Sequence, residues 1–188
     1  MAIHRCQSGN SVLLLEGFTR EIFRPECNPN FTSLHCFAHL DQDVGEVIPY
    51  LNADLGGFQC TREPPSVTFK IRGRLITIHP RKIAINALKD EEEADRILDW
   101  LKRQINETWE RRAEITPSFE LAPRPQLIEI LRLLPRTNCR ECGQPTCMVF
   151  AARLAEGVEG IEACPAMDEA HREKLSEYLS RFNLDPGF

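Results

Sequence analysis

Val67-Thr-Phe-Lys-Ile-Arg-Gly-Arg-Leu-Ile-Thr-Ile-His-Pro-Arg-Lys-Ile-Ala-Ile-Asn-Ala-Leu-Lys-Asp-Glu-Glu-Glu-Ala94 is the stretch whose reading decides the fold. Apolar and polar residues alternate through Val67–Arg72, Gly73 offers a turn, and Leu75-Ile-Thr-Ile resumes a strand, which together predict a hairpin. A third short strand follows at Lys82-Ile-Ala-Ile-Asn86. Asp90 and Glu93 then supply the acceptors of a capping box, and three glutamates sit where a helix dipole is positive. Beyond them Ala94, Ile97, Leu98, Leu101, Ile105 and Trp109 recur at intervals of three and four, so a helix over about 91–112 lays one apolar stripe on the sheet.

Upstream, Val44, Val47, Ile48, Leu51 and Leu55 keep helical spacing up to Gly56-Gly57, with Pro49 expected to kink that helix or delay its start. A strand is expected over about 34–40. The fold class is therefore α+β, an antiparallel sheet with a long packed helix, followed by a small, mainly helical domain rich in cysteine. Segment boundaries fall at 1–30 (an uneven amino-terminal stretch), 31–115 (the α+β domain), 116–125 (a semi-rigid linker with three prolines) and 126–188 (the cysteine-bearing domain).

The element order, with the stretch Leu75 to Ala94, resembles one repeat of the TATA-box-binding protein fold. That resemblance spans about 60 residues, carries no chemical motif and bears on fold alone.

A chain of 188 residues with 42% hydrophobic content can bury a real core. Its formal charge of −5 speaks against a general nucleic-acid binder, which needs a basic stripe to neutralise phosphates. The apolar run Val12-Leu-Leu-Leu15 is too short for a signal core or a membrane span, so a cytoplasmic protein without membrane insertion is expected. Eight cysteines in such a compartment point to metal or redox chemistry rather than disulfides.

The cysteines that carry chemistry are Cys139, Cys142, Cys147 and Cys164, spaced C-x2-C-x4-C-x16-C. Four soft thiolates within thirty residues are a metal-ligand set. Gly143 permits close backbone approach, and Cys147 follows Pro145 at an expected helix start. A helix over about 148–156 buries Phe150, Ala151 and Leu154, and Gly157 turns the chain back toward Cys164-Pro165. Zinc is the structural alternative, although its thiolate sites usually pair two knuckles, and only one C-x2-C pair is present here.

The run Leu134 to Gly157, with Cys164-Pro165, resembles the four-cysteine iron–sulfur domain of the corrinoid iron–sulfur protein large subunit and of the Rnf complex B subunit. The resemblance covers roughly 35 residues and includes all four cysteines. It implies one [4Fe–4S] cluster bound by Cys139, Cys142, Cys147 and Cys164, and low-potential electron transfer to or from a protein redox partner, as a carrier or as a reductive activator of a redox, even corrinoid, enzyme. The whole layout also resembles small iron–sulfur proteins of anaerobic bacteria and archaea. The rival reading is a binding or regulatory module in which the cluster is a structural staple or redox sensor. With four cysteine ligands no iron is left open for catalysis, and no catalytic triad, Walker loop or dinucleotide fingerprint is present.

Cys6, Cys27, Cys36 and Cys60, with His35, could hold a second metal, but their spacing fits no ligand pattern, and buried packing is the simpler expectation. His4, His39, His79 and His171 are read as structural or surface groups, and Trp100 and Trp109 as core or rim of the long helix. Arg132, Arg136, Arg140 and Arg153 surround the motif and are available to offset cluster charge or meet an acidic partner.

Overall fold

The computed structural model describes residues 13–24 and 33–182. Six strands form one antiparallel sheet: β1 (Phe18–Phe23), β2 (Leu34–Leu40), β3 (Gln59–Arg62), β4 (Pro65–Ile71), β5 (Arg74–His79) and β6 (Lys82–Leu88). Their spatial order is β1-β2-β6-β5-β4-β3. The decisive hairpin is β4–β5, where Ile71 pairs with Arg74. Arg72 and Gly73 between them both take positive φ, 48° and 79°, the two-residue turn whose twist matches that of paired strands.

Alternation determines which face is covered. Val67, Phe69 and Ile71 of β4, Ile76 and Ile78 of β5, and Ile83 and Ile85 of β6 all point to one buried side. Onto that side pack α1 (Ile48–Leu55) and α2 (Glu91–Glu110). Pro49 does not kink α1 but goes with the expected delayed start, the α-helix beginning only at Ile48. It occupies the first turn, where a missing N–H costs nothing, after a 3-10 turn at Gly45–Val47. Gly56, at φ 73°, closes the helix in the left-handed conformation.

In α2 the expected stripe is buried through Ala94, Ile97, Leu98, Leu101 and Ile105, joined by Trp100 and Thr108, while Trp109 is only partly covered. Asp90 caps the helix through the Glu93 amide at 2.8 Å. The reciprocal bond is displaced by one residue, since the Glu93 carboxylate accepts from the Lys89 amide at 2.8 Å. Its other oxygen pairs with Arg74 at 2.6 Å, and Arg20 of β1 pairs with Glu91 and Asp95, so an acidic run that stays largely exposed is also tied to the sheet.

The proline-rich joint 116–125 lies against α1. Buried Asn52 donates to the carbonyls of Ser118 and Glu120, both at 2.8 Å, and the Ser118 amide donates to Pro49 O at 3.0 Å. Beyond the joint a second core forms from α3 (Leu127–Leu133), α4 (Cys147–Ala155) and α5 (Glu169–Leu179) around Ile130, Leu134, Phe150, Leu154, Met167 and Leu175. Among the described residues no helix is long and apolar enough to cross a membrane.

Leu101 is fully buried between helix and sheet, so Leu101→Ala should cost about 2–5 kcal/mol of unfolding free energy. Asp90→Ala should cost only about 1 kcal/mol. Urea denaturation followed by circular dichroism measures both, and an equal effect of the two would contradict the packing described.

Candidate metal centre

The site is built by a loop and one helix turn. After Leu134 the chain leaves helical geometry, and Arg136, Asn138, Arg140 and Gly143 all take positive φ between 51° and 76°. Three of these four are not glycine, a conformation that costs energy and persists only where surrounding contacts impose it. One such contact is visible: Asn138 Oδ1 accepts from the Cys147 amide at 2.8 Å, binding the loop to the start of α4. Thr146 completes the cap by accepting from the Val149 amide at 3.3 Å.

Within α4, Cys147 stands one turn before Phe150 and Ala151, which stand one turn before Leu154. All three apolar residues are buried, as their spacing predicts, so the same helical face carries Cys147 to the edge of the second core. Gly157, at φ 65°, ends the helix region, and a 3-10 turn at Ile161–Ala163 delivers Cys164.

The structure thus brings all four cysteines to one place. Cys139, Cys142, Cys147 and Cys164 line a single cavity with Leu134, Asn138, Gln144, Thr146 and Phe150, enclosing about 320 Å³ of free space that is partly open to solvent. Exposure is graded around it: Cys164 is buried, Cys142 and Cys147 are half-buried, and Cys139 is exposed. Burial pushes the Cys164 thiol above its ordinary pKa, and the three neighbouring thiols push the same way, opposed by a backbone hydrogen bond at Ala166. Among the described residues no group of three or more His, Cys, Asp and Glu side chains is arranged to hold one metal ion.

Sequence reasoning did not single out Arg172. From α5 its guanidinium donates to Cys164 O at 2.8 Å and to Met167 O at 3.1 Å, holding the last cysteine's loop against the helix. Nothing in its sequence surroundings signals this, because the contact depends on how α5 docks. His171 pairs instead with the capping carboxylate of Asp168 at 2.5 Å.

The family described as "Putative Fe-S cluster" matches residues 134–166, the segment that supplies all four thiols. The corrinoid/iron-sulfur protein large subunit of Moorella thermoacetica is 48% identical over 48 residues, 26% of this chain and 11% of that protein. The gamma subunit of the acetyl-CoA decarbonylase/synthase complex of Methanocaldococcus jannaschii is 40% identical over 57 residues, 28% of this chain and 12% of that protein. A component of the ion-translocating oxidoreductase complex of an Azoarcus species, the Rnf-type B subunit, is 35% identical over 63 residues, 34% of each chain. The chain therefore spans between about a tenth and a third of the length of these relatives. No solved structure matches it, so the likeness to a TATA-box-binding-protein repeat rests on sequence alone.

The other cysteines are not brought together. Cys36 is fully buried in the first core and Cys60 packs against its edge, and burial raises the pKa of both thiols. They lie on β2 and β3, four strand spacings apart, or about 19 Å across the sheet. Cys36 and Cys60 therefore share no metal. Cys6, Cys27 and His4 lie outside the described residues. Arg132 and Arg153 are held by Glu129 and Glu159, whereas Arg136 and Arg140 are exposed.

Arg172→Ala removes two charge-assisted bonds worth about 1.5–3 kcal/mol each. Iron bound to the variant should be lost to a chelator several times faster than from the parent, with Arg172→Lys intermediate. Equal release rates would show that the clamp does not hold the Cys164 loop.

Proposed function

We propose that Cys139, Cys142, Cys147 and Cys164 hold one [4Fe–4S] cluster, and that the chain is a cytoplasmic carrier of single low-potential electrons to or from a protein redox partner. The observation that carries this reading is the convergence of the four thiols on one cavity inside the segment that matches an iron–sulfur family. When bound, the cluster supplies a reversible one-electron couple, and all four of its irons would have a cysteine ligand.

The residues fit a cluster better than a lone zinc ion. Zn–S bonds of roughly 2.3 Å require four sulfurs about 3.8 Å apart. Such sites usually pair two knuckles, whereas here one C-x2-C pair is followed by singly placed cysteines that line a shared cavity, which suits the corners of an extended cluster. The exposed Cys139 supports a site near the surface, as exchange with a protein partner demands. The relatives named above are subunits of a corrinoid/iron-sulfur protein, of an acetyl-CoA decarbonylase/synthase complex and of an ion-translocating oxidoreductase complex, which supports a role beside a larger redox enzyme, including reductive activation of a corrinoid one.

A second role for the same cluster is favoured by the size of the second core. Among the described residues it has eight buried side chains, one of them Cys164, against twenty-two in the first. A core that small needs a staple, so residues 126–188 would form a domain whose folding depends on the cluster.

Protein purified without oxygen should hold about four irons and four sulfides per chain and give a reversible one-electron EPR signal on dithionite reduction. About eight irons would revive Cys6 and Cys27, and zinc in place of iron would overturn the reading. Cluster removal should unfold the second core while the sheet keeps its circular dichroism and its cooperative melting.

A further inference from the structure

A shallow groove on the outer side of α3 and α4 is lined by Leu131, Arg136, Asn138, Thr146, Cys147 and Met148. Asn138, Thr146 and Cys147 also line the thiol cavity, so the two spaces adjoin. Whatever occupies the groove lies against Cys147, a proposed ligand.

The groove's surroundings have a definite chemistry. Of six large apolar side chains exposed among the described residues, three fall on these two short helices: Ile128, Met148 and Val149 at 50, 52 and 37%. Ile128 precedes Leu131 by one turn, and Met148 lines the groove itself. The loop adds Arg136, which lines the groove, and Arg140, which lines the adjoining thiol cavity, both exposed, both in left-handed backbone, and neither engaged in an ion pair among the described residues. Arg132 nearby is neutralised by Glu129, and Glu141 is the exposed carboxylate in the same loop. A basic rim around an apolar centre, on a chain of net charge −5, is a local feature of this face.

We infer that this groove is the docking site of an acidic redox protein, and that electrons enter or leave beside Cys147. The inference rests on the proposed cluster. Free arginines steer an acidic partner into encounter, and Met148 with Ile128 supplies the small apolar contact of a transient complex. The exposed edge at Cys139 lacks a comparable apolar surround, since the loop there is arginine, glutamate and glycine.

The test uses full-length holoprotein, reduced with dithionite, freed of excess reductant and mixed in a stopped-flow cell with oxidised flavodoxin as an acidic probe. One electron leaves the reduced cluster and enters the flavin. Arg136→Glu with Arg140→Glu should slow the second-order rate about tenfold or more at low salt, the lower end of electrostatic steering, and added salt should erase most of the difference. Arg136→Gln with Arg140→Gln should fall between. Met148→Asp should slow transfer at high salt as well. Lys102→Glu with Arg103→Glu on α2 makes the same change of total charge and should leave the rate near that of the parent.

An unchanged rate in the loop variants, or an equal loss in the α2 control, would overturn the docking site. So would a dimer in sedimentation that Met148→Asp dissolves, because the groove would then belong to a second copy. Failure of the underlying reading looks different: the reductive titration before mixing would show no reversible couple, whatever the variant.

Discussion

Burial of Phe150 is the contact on which the candidate centre depends. The ring is fully enclosed in the second core and also forms part of the wall of the thiol cavity. Because Cys147 precedes it by one helical turn, α4 cannot bury Phe150, Ala151 and Leu154 without presenting Cys147 on the same side. Hydrophobic packing therefore does the orienting, and the thiol follows. The loop on one flank is fixed to that helix by Asn138, and the return on the other flank is fixed to α5 by Arg172. Three interactions of different kinds, one apolar and two polar, hold the four sulfurs around one space.

The two cores solve different problems. The first is a sheet whose alternating residues bury one face under α1 and α2, and it holds together through ordinary apolar area. The second has few residues to bury and places half-buried Cys142 and Cys147 against its own core, so its folding and its chemistry draw on the same side chains. Arginines near the thiols divide the same way. Arg132, Arg153 and Arg172 are engaged by protein groups, and Arg136 and Arg140 are left for something outside.

Much of this is legible from local pattern. The hairpin around Gly73, the α2 stripe, the inward triplet of α4 and the cysteine quartet each have a short-range period or spacing, and each stands where that pattern places it. What escapes such reading is long-range or weakly patterned. Gln59–Arg62 is a four-residue edge strand with a single apolar residue, Cys60, and Phe18–Phe23 has three polar residues in a row at its centre, so both become strands only by pairing with a neighbour. Arg172 and Asn52 act across dozens of residues or through carbonyls, which no side-chain motif records. Glu93 reads as a cap and is also a half-buried partner of Arg74, a pairing that only the sheet's position creates.

The seat of residues 116–125 on α1 bears on how the proposed carrier would work. A segment with three prolines invites the picture of a tether that lets one end of the molecule swing. Here a single buried amide, Asn52, grips two carbonyls of that segment, and Lys70 of the sheet reaches Glu156 at the end of α4 at 2.6 Å. A joint gripped in this way has no slack to release. For the proposed carrier, delivery would then come from diffusion of the protein to its target rather than from the reach of a mobile arm.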